Sequence, residues 1–414
     1  MKKTLIKRIA TCFASLYFLP FWHLQKLLKR DENLWLFGST NSNTDSDNGY
    51  TFFEFVNKNY NNVKTVWVTQ QPSVYERMRA EGYYNVEMSN SLKGKLACLR
   101  AGVCFISIGP TETNKKYING IRQIVLWHSM AIKQIAYDME AFHQKKMSKK
   151  ETALTRFEKF CMPYLFNLNA ECAFVTSEFF IPIFASAFKL PPEKVIPLGQ
   201  PKNDAFFYET TEKLISHLNE KFKDPLKIIY MPTFRDDLRN SGKQFNPFDE
   251  FGFDTKGIME MLERNNAVFL YKCHNHDGIV KVSNLSERFI ILTPEKYHDP
   301  YTLLKDVDIL VTDYSSVYFD FLLTKKPIIL APFDIDIYQA MRPFYYDYFE
   351  NIEGCVVYNW NEFIKAIDEH KYFNPSDEVC RKFNKYQDGR SSERILGFMK
   401  SYLANSSNMR QKSV

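Results

Sequence analysis

Apolar positions along this chain change their spacing in a regular way. From residue 33 onward, short runs rich in β-branched and aromatic residues alternate with stretches where apolar residues recur every three or four positions. Runs at 33–37 (NLWLF), 64–68 (KTVWV), 103–108 (VCFISI), 123–127 (QIVLW) and 172–176 (CAFVT) read as strands. So do 227–231 (KIIYM), 267–271 (AVFLY), 288–292 (RFIIL), 308–312 (DILVT) and 326–330 (KPIIL). Several are apolar at every position, as strands buried on both faces of a parallel sheet require. Helical spacing falls between them, at 73–81, 211–222, 256–265 and 316–324. The alternation predicts an α/β fold with parallel sheets.

About a dozen strands are many for one open sheet, so two Rossmann-like halves are expected. The first should cover 31–205 and the second 206–404, with a linker near 199–212 where Gly199, Pro201 and polar residues cluster. Residues 237–254 read as a long loop at the rim of a cleft, and 405–414 as a loose tail.

Composition narrows the class. Hydrophobic residues make up 45% and charged residues 25%, enough apolar surface to exclude a disordered chain. Fifteen Gly and 18 Pro follow no period, which excludes a collagen-like chain. Charge is uneven. Residues 1–30 carry seven bases and no acid, leaving 47 bases against 48 acids in the rest. A body built to grip duplex nucleic acid is therefore not indicated. The eight cysteines are scattered without a CxxC pair, mostly inside apolar runs. They read as reduced core residues rather than disulfides or a zinc site.

The basic end also holds a 14-residue apolar run, 9–22 (IATCFASLYFLPFW). It is shorter than the roughly 20 residues of a spanning helix, and Pro20 should interrupt it. Ile6, Ile9, Phe13, Leu16 and Tyr17 recur at helical spacing beside Lys2, Lys3, Lys7 and Arg8. This predicts a helix lying in the plane of an anionic membrane surface. A helix packed on the protein's own core and a signal peptide are the alternatives; no A-x-A site follows the run.

Open α/β sheets bind ligands beyond the carboxyl ends of their strands, and four such junctions carry polar residues. At the first, a strand delivers His128 at its tip with Lys133 beyond it. Neutral imidazole is a usual general base near pH 7, although a strand-end histidine is often structural. The second runs into Thr233, Arg235 and Asp236. Its guanidinium suits a phosphate, held by the neighbouring acid, and a surface ion pair is the plain alternative. The third ends in Lys272, His274, His276 and Asp277. Further metal ligands at recognisable spacing are missing, so no metal site is expected. The fourth passes from a buried strand through Thr312 and Asp313 to Ser315 and Ser316 at a helix start. That start is an anion site by its free N–H groups and dipole. The serines serve equally as N-caps. Asp320, one turn further, is placed to meet a ribose hydroxyl.

Taken in order, these stretches resemble the CDP-glycerol glycerophosphotransferase family, which includes teichoic acid primases and polymerases. Its W-H-G-x-P-x-K motif is matched by Trp127, His128 and Lys133. Its G-x-P-R-N-D is Gly199-Gln200-Pro201-Lys202-Asn203-Asp204, and its P-T-[WF]-R-D is Pro232 to Asp236. K-x-H-P appears as Lys272-Cys273-His274-Asn275, and T-D-Y-S-S-v-x-f-D as Thr312 to Asp320. A late D-G-x-[AS]-[ST]-x-R-I is Asp388 to Ile395. Ser129, Ala131, Ala136 and Asn275 depart from the pattern.

The resemblance implies a GT-B fold and transfer of an alditol phosphate, glycerol or ribitol, from a CDP-linked donor with release of CMP. It places the two essential histidines on His128 and His274, and further substrate contacts on Asn203 and Asp204. Donor contacts would be Thr233, Arg235, Asp236, Lys272, Thr312, Asp313, Ser315, Ser316 and Asp320, with Lys133 also at the substrate. The acceptor would be a lipid-linked or growing surface polymer. The enzyme would work as a peripheral protein on the cytoplasmic face of the cell membrane, in teichoic acid or capsule synthesis. No cofactor motif is present, and a bound divalent ion is left open. A GT-B glycosyltransferase using a nucleotide sugar and a silent scaffold in a capsule-assembly complex are the competing readings.

Overall fold

A computed structural model describes residues 2–39, 47–145, 149–166, 168–209, 212–233, 235, 246–272, 285–293 and 301–411. Among these residues, thirteen strands form two wholly parallel sheets. The first contains β1 (Asp31–Ser39), β2 (Lys64–Thr69), β3 (Val86–Met88), β4 (Ala101–Ile106), β5 (Arg122–Val125), β6 (Ala170–Val175) and β7 (Val195–Pro197), in the order 3-2-1-4-5-6-7. The second contains β8 (Leu226–Met231), β9 (Ala267–Lys272), β10 (Phe289–Leu292), β11 (Ile309–Thr312), β12 (Ile328–Leu330) and β13 (Cys355–Val356), in the order 10-9-8-11-12-13. Each repeats the doubly wound order, reversing direction between its first and fourth strands.

All ten strands read from the sequence are present. The three it missed, β3, β7 and β13, are sheet edges of two or three residues, too short to show a period. Complete burial of β4 and β9 matches their unbroken apolar runs. One apolar cluster runs from Val125, Trp127 and Phe184 of the first half into Leu310, Tyr318 and Phe319 of the second. The two sheets therefore share a core.

The C-terminal segment departs from expectation. Residues 405–411, read as a loose tail, continue the helix Ser391–Gln411; no Gly or Pro stops it, so propagation carries on. That helix also leaves the second half, because Ile395, Leu396 and Met399 pack with Trp35 and Phe174 of the first sheet and with Phe52 of the helix that follows β1.

The N-terminal helix Lys2–Ser15 has two apolar sides. Cys12 is fully buried with Cys161, Met162 and Tyr164. Arg8 grips Glu158 with two bonds of 2.7 and 2.8 Å. The other side leaves Ile6 and Phe13 exposed, and Tyr17, in the turn just beyond the helix, is exposed as well. The helix stops at Ser15 and a second begins at Leu19, with Pro20 in its first turn, where its missing N–H costs nothing. Among the described residues no helix is long and apolar enough to cross a membrane.

Candidate active site at the carboxyl ends of the sheets

β5 ends at Val125, and the backbone then turns through a left-handed residue, Trp127, at φ 54°. A bulky side chain is uncommon there, and four contacts hold it. The Leu126 and Trp127 amides both donate to the Ile106 carbonyl, at 2.8 and 3.2 Å. Asn48 Nδ2 donates to the Trp127 carbonyl at 2.5 Å. The Trp127 ring packs edge-on against Phe188.

This turn presents His128. Its Nδ1 lies 3.2 Å from the Ser107 carbonyl. A carbonyl only accepts, so Nδ1 carries the proton and Nε2 keeps its lone pair. His128 is exposed, while Trp127 and Ser129 on either side of it are buried. Desolvation, with Lys202 and then Lys133 as nearby cations, pushes its pKa down to about 4. The imidazole is neutral at physiological pH.

Behind it stands a pair of buried acids. Glu112 accepts from the amides of Ser107 at 2.8 Å and Gly109 at 3.3 Å, and also from Ile108. This curls the loop that supplies the Ser107 carbonyl. Burial and the nearby Asp47 raise the Glu112 pKa well above the carboxylate range. Asp47, pushed up to about 6 by burial, caps the helix Asn48–Asn59 through the Tyr50 amide. Gly49 is needed in that first turn, since a Cβ there would lie 2.8 Å from Ser107 Oγ.

The second sheet contributes a more heavily bonded cluster. Arg235, only 4% exposed, donates to Asp313 Oδ2 at 2.8 Å and to both Asp334 oxygens at 2.8 and 2.9 Å. It also donates to the Thr233 carbonyl at 2.6 Å and lies over the Tyr338 and Tyr314 rings. Asp313 further accepts from the Thr233 amide at 2.8 Å. Thr312 Oγ1 donates to the Met231 carbonyl.

Several residues expected at the substrate are thus engaged by protein. Arg235, Asp313 and Thr312 brace the loops after β8 and β11. Asp320, expected at a ribose hydroxyl, is fully buried and paired with Lys202 Nζ at 2.9 Å, with Tyr301 OH also donating to it. Asp204 accepts the Ser391 and Ser392 amides at 2.8 and 2.9 Å, capping the last helix. Gly199, at φ 93°, makes room for Ser391, whose Oγ a Cβ would meet at 2.4 Å. The motifs around Gly199 and Asp388 therefore form a joint between the halves. Asn203 is buried, and its Oδ1 has no partner among the described residues.

Other expected residues stay nearer the junction. Ser315 and Ser316 are half-buried before the short helix Val317–Phe321, and Ser316 makes no side-chain cap bond. Ser129 Oγ reaches the Ser316 carbonyl at 3.4 Å, which joins the His128 turn to this helix start. Lys133 donates to Tyr338 OH at 3.0 Å. Buried Lys272 ends β9. His274, His276, Asp277 and Asp236 lie outside the described residues. Asn48, Ser107, Glu112, Tyr301 and Asp334 were not singled out from the sequence. Only Ser107, a polar residue just past an apolar strand, carried the signal that marked His128.

A family model described as CDP-Glycerol:Poly(glycerophosphate) glycerophosphotransferase matches residues 20–400. The chain belongs to this family. A family relative, the teichoic acid glycerol-phosphate transferase of Staphylococcus aureus (strain NCTC 8325 / PS 47), is 29% identical over 421 residues. That match covers 95% of this chain and 97% of the relative. Teichoic acid ribitol-phosphate polymerase TarL of the same organism is 30% identical over 261 residues, 60% of this chain and 45% of the polymerase. The chain spans about half the length of the ribitol-phosphate polymerases it matches. Among solved structures, the wall teichoic acid polymerase TagF has a TM-score of 0.67 at 21% identity, covering 98% of this chain and 99% of that one. A putative UDP-N-acetylglucosamine 2-epimerase from Listeria monocytogenes reaches 0.55 at 13% identity, covering 91% and 97%. These two likenesses concern the fold.

Proposed function

We propose that the chain transfers glycerol phosphate, or ribitol phosphate, from a CDP-linked donor to a hydroxyl of a lipid-linked or growing surface polymer. The single observation that carries this reading is the junction itself. A neutral imidazole with a fixed tautomer stands one residue from Ser129, and Ser129 touches the helix start at Ser316. Family membership supplies the donor class. The relative matched along nearly its whole length is named a glycerol-phosphate transferase, which favours glycerol phosphate.

In this reading the halves form a GT-B pair, with the acceptor on residues 31–205 and CDP on the second half. Ser315, Ser316 and Lys272 hold the diphosphate, on loops that Arg235 and Asp313 keep rigid. The acceptor oxygen attacks the alditol-bearing phosphorus while His128 Nε2 takes its proton. The bond from that phosphorus to the bridging oxygen breaks, and CMP leaves with the electron pair. His274, matched by its motif, stabilises the departing phosphate. The charge of a bound diphosphate lifts the His128 pKa from its low resting value toward neutrality, so the base strengthens when the donor is present.

The same reading puts the protein on the cytoplasmic face of the membrane. The exposed side chains of Ile6, Phe13 and Tyr17, beside the bases of residues 1–30, support an in-plane contact. The test of function is incubation with CDP-glycerol, CDP-ribitol and a set of nucleotide sugars. CMP release with alditol phosphate appearing on the acceptor is expected. Release of a nucleoside diphosphate from a sugar donor instead would replace this reading with a glycosyltransferase.

A further inference from the structure

We propose that a cavity at the amino-terminal edge of the first sheet binds the phosphate of an anionic lipid headgroup. The inference rests on the membrane location proposed above and gives it a specific site. The cavity measures about 530 Å³, and its charged lining is Lys26, Lys29, Arg30 and Arg122 against one acid, Glu32. Arg122 is already balanced by Glu171 at 2.7 Å and Glu32 at 3.2 Å. Arg30 is not. Among the described residues its guanidinium donates only to backbone carbonyls, those of Cys98, Leu99, Ala101 and Asn119 at 2.6–3.2 Å. Its Nε is buried without a partner. Arg30 thus brings a full positive charge to the wall with no carboxylate on it. Lys26 and Lys29 are exposed beside it, and neither has a carboxylate partner among the described residues.

The wall is fixed before any ligand arrives. Gln25, 1% exposed, donates to the Lys116 carbonyl at 2.7 Å and accepts the Asn119 amide at 3.2 Å. Asn119 Nδ2 donates back to the Trp22 carbonyl at 2.7 Å. Gly120, at φ 86°, lets the chain at Lys26 approach to 3.0 Å of where a Cβ would stand. These bonds fix the backbone that carries the two lysines, so little backbone freedom is lost on binding.

Lipid is favoured as the occupant by what borders the lysines. Leu24, Leu27 and Leu28 are 57%, 81% and 45% exposed, an apolar fringe on the same turn as the charges. A headgroup phosphate in the cavity with chains along the leucines satisfies both. The site is separate from the donor site: Arg122 begins β5, and His128 lies beyond the strand's opposite, carboxyl end at Val125.

The test uses the full chain and a Lys26→Glu/Lys29→Glu variant, each co-sedimented with phosphatidylcholine vesicles with and without phosphatidylglycerol. A thermal melt and CMP release onto a soluble acceptor serve as controls and should match between the two proteins. We expect wild type to prefer the anionic vesicles and the variant to lose roughly tenfold in that affinity. A variant that keeps wild-type preference overturns the cavity and leaves the membrane location standing. Wild type that binds neither vesicle overturns both. Wild type that ignores phosphatidylglycerol but binds soluble poly(glycerol phosphate), with that binding lost in the variant, assigns the cavity to the polymer and overturns the lipid.

Discussion

Two polar turns lie at the carboxyl ends of the two sheets, and they spend their polar groups differently. The turn after β5 uses backbone bonds and Asn48 to hold itself, and among the described residues the Nε2 acceptor of His128 has no partner. The turn after β8 spends its charge on itself, with Arg235 enclosed by Asp313, Asp334 and two tyrosine rings. Both look alike as sequence, since each is an apolar run ending in residues that handle protons or phosphate. What separates them is whether the folded chain has already supplied a partner. A buried, fully paired guanidinium cannot also be the group that meets a substrate without breaking those bonds. A residue in a substrate-binding motif can therefore be a brace.

The sharpest way to break this comparison is to delete one group from each turn. His128→Ala should cut turnover by about 10²–10⁴, the usual worth of a positioned base, and leave the melting temperature near wild type. Arg235→Met should do the reverse first, destabilising the fold by about 3–5 kcal/mol because Asp313 and Asp334 are left buried and unpaired. Steady-state CMP release beside a denaturant melt measures both. A stable, inactive Arg235→Met would mean the guanidinium serves the donor directly.

A smaller effect sharpens the first turn. Asn48→Ala removes the bond to the Trp127 carbonyl and the acceptor of the Lys202 amide at 3.1 Å. Each group left unsatisfied costs about 1–3 kcal/mol. Turnover should fall with little change in donor KM, because the base is misplaced while the helix start at Ser316 is untouched. A raised KM with unchanged turnover would locate Asn48 at the substrate instead.

The smallest effect concerns charge alone. Lys133→Met removes one of the two cations that lower the His128 pKa, the other being Lys202. The value should rise, and an NMR titration of the ring reads it. The sign carries into stability. A histidine whose folded pKa lies below its unfolded value binds protons more readily when unfolded, so its contribution to stability falls as pH drops from about 6.5 toward 4. In Lys133→Met that window should narrow from its acid end.

How much of this was legible beforehand depends on the distance over which each signal acts. Ten strands and their parallel arrangement came from local apolar runs, and His128 from its place at the end of one. The three edge strands were too short to carry a period. The partners of Asp320 could not be read, because Lys202 lies 118 positions away and reaches it only through the fold. Glu112 carried no signal either. It is a lone acid in a loop until three amides curl around it.

The sequence by itself determined the class of fold, the strand-end positions of the polar groups and, through six motifs in order, the family. Those properties follow from residue type and spacing, which act locally and survive any rearrangement of distant parts. Tertiary structure alone decided which of those groups stay open. Burial sets whether a charge must be paired, and long-range packing sets with what. Arg235, Asp204 and Asp320 were closed off by carboxylates, amides and a lysine brought from elsewhere in the chain. His128 found a backbone carbonyl for one nitrogen, and the other has no partner among the described residues.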